Sequence, residues 1–262
     1  MEDLNSDYSQ VKNKSVDEVL ASGFVFRGSE YLKQGFRTYG NEFGIYTAFT
    51  LVYIAASLVL GSIPYVGSSI GLFVNPPLIA GIIFYGYLQR INEFRDFNSF
   101  FSGFKQPFWG ALITQSIAST FLMVIAVAIL VLPPYYDVIA TFATEIQKLE
   151  SIPQEEAGEF IIGLWNPDLG WAMLLAAVGG LVVTTLLCMT PYFIVRRAMP
   201  FPEAIRASVR LVSKKFWSFA ALVLVLWVVL IVGFMMCCVG FLAAFPVYYL
   251  TLLAAFEDIM GD

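Results

Sequence analysis

Residues 216–256 run for 41 positions without one charged side chain. A helix crossing a bilayer needs about 20 mostly apolar residues. The run is too long for one crossing and suits two, joined by a tight turn near Gly233 to Gly240. The same criterion picks out residues 43–61, 66–88, 108–132 and 169–195. Six helices follow. Backbone polar groups in lipid must be satisfied within the segment, so an apolar series of this kind folds as α-helix. The fold class expected is all-α, a polytopic membrane protein with six transmembrane helices.

Composition supports that expectation. The chain is 58% hydrophobic and 13% charged, with mean hydropathy +0.74. Soluble domains carry about 25% charged residues, and a water-facing surface could not be built from what remains here. The net charge of -5 is an average over segregated charges. Residues before the first span hold five Lys/Arg, those between spans two and three hold three, and those between spans four and five hold six. Of the 15 basic residues only Lys148 lies on the other side. Positive charge gathers on the cytoplasmic side, so both termini are expected to be cytoplasmic, in an inner membrane. Residues 133–168 form an extracytoplasmic acidic loop with Asp137, Glu145, Glu150, Glu155, Glu156, Glu159 and Asp168. Residues 1–26 are polar, with no basic n-region or apolar h-region. They read as a disordered cytoplasmic tail, followed by the transmembrane domain over 27–260. The first apolar segment would then act as an uncleaved signal anchor.

Before each odd-numbered span sits a short amphipathic stretch ending in aromatics. The first is "SEYLKQGFRTYGNEF", with Ser29 as the expected N-cap. The second is "DFNSFFSGFKQPFW", and the third is "FPEAIRASVRLVSKKFW", with Pro202 at the first helical position. In the third, Arg206, Arg210 and Lys214 recur every four residues, while Ile205, Val209 and Val212 occupy another side. Such helices are expected to lie in the membrane interface, with Ile205, Val209 and Val212 toward the bilayer and cations at the headgroups. Phe108-Trp109 and Phe216-Trp217 mark the headgroup level. Each even-numbered span carries a proline: Pro76-Pro77, Pro191 or Pro246. The chain therefore reads as three copies of one two-helix unit with a cytoplasmic interfacial helix.

Chemistry-bearing constellations are missing from the sequence. Without histidine there is no Ser-His-Asp set and no HExxH helix. No phosphate-binding GxxxxGK[ST] loop occurs. No Asp, Glu, Lys or Arg falls inside a span, which argues against a proton-coupled pump, a charged-ring channel or an intramembrane aspartyl protease. Cys188, Cys237 and Cys238 lie in apolar runs without metal-binding spacing and read as packing residues. No catalytic residue, metal, cofactor or nucleic-acid partner is expected.

Two groups of site residues remain. Arg196, Arg197, Arg206, Arg210, Lys214 and Lys215 give the inner loop a charge of +5 after Glu203 is subtracted. They either set topology or bind anionic lipid, and the interfacial helices could also receive a protein partner. Asn75, Pro76 and Pro77, with Thr190, Pro191 and Pro246, mark helix breaks. A proline removes a donor and frees a carbonyl one turn earlier. Such breaks either pack as kinks against neighbours or line a substrate path. Within span three, Gln115, Ser116, Ser119 and Thr120 suit interhelical hydrogen bonds. The function expected is a non-enzymatic, lipid-interacting scaffold or adaptor. The alternative is a transporter or flippase for a lipid-like or small neutral substrate.

The runs "NPPLIAG", "QRINEFRDFNSFFSGFKQPFW", "TPYFIV" and "AIRASVRLVSKKFW" resemble those of bacterial six-span proteins. These are the YciC-like family and the membrane domain fused to some glycerophosphodiester phosphodiesterases. The resemblance extends over residues 28–258. It implies a bacterial inner-membrane protein and lends no catalytic residues, because the phosphodiesterase acid and base have no counterpart here.

Overall fold

The computed structural model describes residues 14–63, 67–105, 108–148, 167–236 and 239–261. They form ten α-helices and one 3₁₀ segment, with no strand among the described residues. In chain order these are α1 Val16–Ser22, α2 Gly28–Asn41, α3 Phe43–Gly61, α4 Gly67–Arg90, the 3₁₀ segment Phe97–Phe104, α5 Phe108–Gln147, α6 Pro167–Leu187, α7 Thr190–Arg197, α8 Phe201–Ser213, α9 Phe216–Met235 and α10 Val239–Met260. Six helical stretches are long and apolar enough to cross a membrane: Phe43–Gly61, Ser69–Arg90, Phe108–Gln147, Pro167–Arg197, Phe216–Met235 and Val239–Met260. The protein is an all-α, multi-pass membrane protein.

Two compact units can be distinguished. The larger comprises Met1–Ile117 and Thr185–Asp262. Its centre is the C-terminal half of α10, where Leu250 to Phe256, Ile259 and Met260 are buried. Around α10 pack α2, α3, α4 and α9. Glycines set the closest approaches. A Cβ on Gly35 of α2 would stand 2.2 Å from the Thr251 hydroxyl oxygen of α10. A Cβ on Gly81 of α4 would meet the Phe100 carbonyl oxygen at 1.7 Å, and one on Gly103 would meet the Pro77 carbonyl oxygen at 2.1 Å. The 3₁₀ segment is thus pressed backbone to backbone on α4. Its hydrophobic face stacks Phe100 between Phe49 and Tyr85, with both ring centroids 4.2 Å away. The smaller unit, Ala118–Thr184, holds the C-terminal part of α5 and most of α6. There Gly179 admits the Leu130 side chain, whose Cδ1 would be 2.7 Å from a Cβ. Phe121, Val124 and Ile129 of α5 are each more than 60% exposed. Contact with acyl chains, not water, accounts for such a surface.

Several boundaries differ from the sequence expectations. The tail read as disordered over residues 1–26 is helical at α1. Ser15 and Glu18 cap it reciprocally, the Ser15 oxygen accepting the Glu18 N–H at 3.1 Å and the Ser15 N–H donating to Glu18 Oε2 at 2.8 Å. Val19 then anchors it, 1% exposed. Residues 1–13 lie outside the described residues, as do Glu150, Glu155, Glu156, Glu159, Cys237 and Cys238. The acidic loop expected from residue 133 begins as helix. α5 passes Pro133-Pro134 and bends at Tyr135 (φ -128°, ψ 22°) before running on to Gln147. α2 starts at Gly28, so Ser29 is inside the helix and not its cap. α8 starts at Phe201, one residue before Pro202.

Pro76 and Pro77 do not interrupt α4, which is helical from Gly67 to Arg90. The true break is at Pro191. Its missing N–H would have served the Leu187 carbonyl, and α6 ends at that residue. Pro246 lies inside α10 without ending it. The even spans share one further feature. Their last turns are followed by residues with left-handed φ: Asn92 at 57°, Ala198 at 48° and Gly261 at 73°. α3 packs on α4 and α9 on α10.

Candidate functional site

The cation-bearing helix α8 has a buried face and an open one. Ala204, Ala207, Ser208, Leu211 and Val212 are buried. The Ser208 hydroxyl donates to the Leu186 carbonyl at 2.7 Å. Arg206, Arg210 and Lys214 share the opposite, exposed side at four-residue steps. Val212 was expected to face the bilayer with Ile205 and Val209. It is instead 0% exposed, and those two are half-buried. The reason is that the small residues of α8 allow close packing, so the helix turns Val212 inward with Leu211.

The other cations are held by aromatic and backbone groups. The Arg196 guanidinium carbon lies 3.2 Å from the Tyr87 ring centroid, and the Lys215 ammonium lies 5.4 Å from that of Phe24. Arg197 Nη1 donates to the Lys14 carbonyl at 2.8 Å. Arg210 pairs with Asp17 of α1 at 2.5 Å, both side chains more than half exposed. The six cations therefore divide. Arg206, Arg210 and Lys214 form an exposed row in which Arg210 is paired with Asp17, while Arg196, Arg197 and Lys215 contact Tyr87, the Lys14 carbonyl and Phe24. Trp217, three residues after Lys214 at the start of α9, is 83% exposed.

A separate polar network, absent from the sequence expectations, joins α2, α3, α4 and α10. Glu42, between α2 and α3, accepts from Arg95 through Nε at 3.0 Å and also through Nη2, and accepts the Tyr85 hydroxyl proton at 2.5 Å. Arg95 holds the Glu42 carboxyl below the ordinary glutamate range, more than its partial burial raises it. The Tyr46 hydroxyl donates to Gln89 Oε1 at 2.8 Å, and Gln89 Nε2 donates to the Thr38 carbonyl at 3.1 Å. Arg90 pairs with Glu257 of α10 and donates to Gln34 Oε1 at 2.6 Å. The Tyr31 hydroxyl donates to Asp258 at 2.6 Å, and burial followed by that carboxylate pushes its ionisation well above the usual phenol range. The signal in the sequence was Glu42, Glu257 and Asp258, acids standing at span ends on the basic side. They neutralise Arg95 and Arg90 and tie α2, α3, α4 and α10 together.

The residues marking helix breaks are buried or half-buried within the spans. Thr190 is 0% exposed, and its hydroxyl has no partner among the described residues; the same holds for the buried oxygens of Asn75, Thr185 and Thr251. A cleft of about 400 Å³ lies elsewhere, between the first turns of α5 and the α7–α8 turn. Its walls include Phe108, Ala111, Ile194, Met199, Pro200 and Phe201, and none of Asn75, Pro76, Pro77, Thr190, Pro191 or Pro246. Among the described residues no three His, Cys, Asp or Glu side chains gather as for a metal ion.

Fold and site together define a multi-pass helical membrane protein with a cation-lined helix end. Comparison with protein-family models, curated proteins and solved structures returned no match.

Proposed function

We propose that the protein is a non-enzymatic, lipid-interacting scaffold of a bacterial inner membrane, akin to the YciC-like proteins it resembles. One observation carries the reading. α8 is fixed by a buried face and exposes Arg206, Arg210 and Lys214 in a row, with Trp217 exposed three residues after Lys214. In this reading the row faces anionic headgroups at the cytoplasmic surface, while Arg196, Arg197 and Lys215 fix the loop. The same surface would serve as the docking face for a protein partner. A cation near an anionic bilayer surface contributes about 1 kcal/mol, so Arg206 and Lys214 contribute on the order of 2 kcal/mol of attraction, with Arg210 offset by its Asp17 partner. Exposed charges are screened over about 8–10 Å in physiological salt, so the attraction weakens as salt is raised. The test is co-purification of anionic over zwitterionic lipid from mixed nanodiscs, for wild type and an R206Q/R210Q/K214Q variant, at low and high salt. Loss of the preference in the variant and in high salt supports the reading; an unchanged preference overturns it.

A second reading, a transporter or flippase, draws on the unpartnered buried oxygens of Asn75 and Thr190. It requires a water-filled route past them. Cysteines placed at both positions in a cysteine-free chain would react with a small polar thiol reagent if that route exists.

A further inference from the structure

The cleft between α5 and the α7–α8 turn differs from the exposed row of cations because it is concave and its walls are hydrocarbon. Thr114 provides the one polar side chain among its lining residues, and that hydroxyl already donates to the Gly110 carbonyl at 2.8 Å. The walls therefore leave no side-chain donor for a polar occupant, and their hydrocarbon favours an occupant that is apolar over its buried part. At about 400 Å³ the cleft is within the roughly 300–1,000 Å³ of ligand sites. That volume suits one hydrocarbon chain and not a folded peptide segment.

Three cations lie close in sequence to its lining residues. Lys105 lies one turn before Phe108, whose N–H donates to the Lys105 carbonyl at 3.2 Å. Arg197 adjoins the wall residue Ala198. Arg206 lies four residues beyond the wall residue Pro202, on the same side of α8. One acid, Glu203, stands among these three cations in the adjoining sequence. Apolar walls with a net positive charge in the adjoining sequence match an amphiphile bearing one long chain beside an anionic head.

We infer that this cleft is a discrete binding site for an anionic phospholipid, one acyl chain lying between α5 and the α7–α8 turn and the phosphate between Lys105 and Arg206. The inference rests on the lipid-interacting reading above and gives it a single resident site. The row Arg206, Arg210 and Lys214 leads away from the cleft at four-residue steps. A lipid held in the cleft would thus occupy the first position of the row.

Gly110 provides the test, because a Cβ built there meets nothing within 4 Å. An alanine at this position therefore meets no neighbour, and a leucine adds three further carbons beside the lining residues Phe108, Ala111 and Thr114. The full chain is reconstituted in phosphatidylcholine nanodiscs carrying a phosphatidylglycerol probe with a photoreactive acyl chain, irradiated, and mapped by peptide mass spectrometry. Crosslinks are expected to concentrate in residues 108–114 and 194–202, to persist in Gly110→Ala and to be lost in Gly110→Leu. Lys105→Gln and Arg206→Gln should each weaken occupancy by about fivefold, and a phosphatidylcholine probe should label the cleft weakly. Crosslinks spread evenly over the exposed faces of α5 and α9, or unchanged in Gly110→Leu, overturn the site. Loss of anionic preference in R206Q/R210Q/K214Q, with Gly110→Leu crosslinking as wild type, would remove the cleft and leave the surface reading standing. If the triple variant keeps its preference, the surface reading fails, and the Gly110 series still decides the cleft.

Discussion

Glu42 holds three hydrogen bonds with one carboxylate, two from Arg95 and one from Tyr85. Its side chain and that of Arg95 are each about one-fifth exposed, so solvent screens them only in part. Hydrogen bonds to a charged group are each worth about 1.5–3 kcal/mol net. Glu42→Gln should therefore lower stability by about 1–3 kcal/mol near neutral pH. The folded carboxyl titrates below its unfolded value, so its contribution is complete above the unfolded glutamate value of about 4.3 and is lost as pH falls through the folded one. Thermal unfolding in detergent should show wild type and Glu42→Gln converging on acidification below about pH 4. Ala198 offers a residue-scale gain. It adopts φ 48° after α7, where an L side chain costs roughly 1–2 kcal/mol, and glycine returns about half of that as backbone entropy. Ala198→Gly should raise stability by about 0.5–1 kcal/mol, read as an upward shift in Tm.

At the scale of elements, glycines decide which helices touch. A methyl group on Gly81 would sit 1.7 Å from the Phe100 carbonyl oxygen, while one on Gly61 meets nothing within 4 Å. Gly81→Ala must push the 3₁₀ segment off α4 and disturb the stacked rings Phe49, Phe100 and Tyr85. Overpacking of this kind costs typically 1–3 kcal/mol and occasionally more. Gly61→Ala should be neutral or slightly stabilising, since alanine favours helix by about 1 kcal/mol. Size-exclusion profiles of detergent extracts after mild heating should separate the two variants. The element boundaries follow from similarly local causes. Pro191 ends α6 because its missing N–H falls at Leu187, whereas Pro76 and Pro77 are absorbed by a helix held from outside. A proline signals a lost hydrogen bond, but whether the helix breaks depends on what packs against it.

For the whole molecule, the segregation of basic residues predicts orientation. Single cysteines replacing Glu155 and Ser213, in a chain lacking Cys188, Cys237 and Cys238, should react oppositely with an impermeant thiol reagent applied to intact cells. Glu155→Cys should be labelled from outside, and Ser213→Cys only after the membrane is opened. Labelling of Ser213→Cys from outside would reverse the topology and remove α8 from the cytoplasmic surface.

Hydropathy alone determined that the chain is helical, how many helices can cross a bilayer, and roughly where each begins. The cost of an unsatisfied peptide group in lipid leaves no other fold for long uncharged runs. The four-residue spacing of Arg206, Arg210 and Lys214 also puts them on one face of any helix that contains them. Tertiary structure decided the rest. Val212 and Val209 are chemically alike, and only the packing of Ala204, Ala207 and Ser208 sends one inward and leaves the other half-covered. Glu42 and Arg95 lie 53 residues apart, and no periodicity links them. They meet because Gly81 and Gly103 let the 3₁₀ segment close on α4. The cleft beside Gly110 is likewise the space left where three helix ends fail to touch, a property of their placement and not of any residue in them.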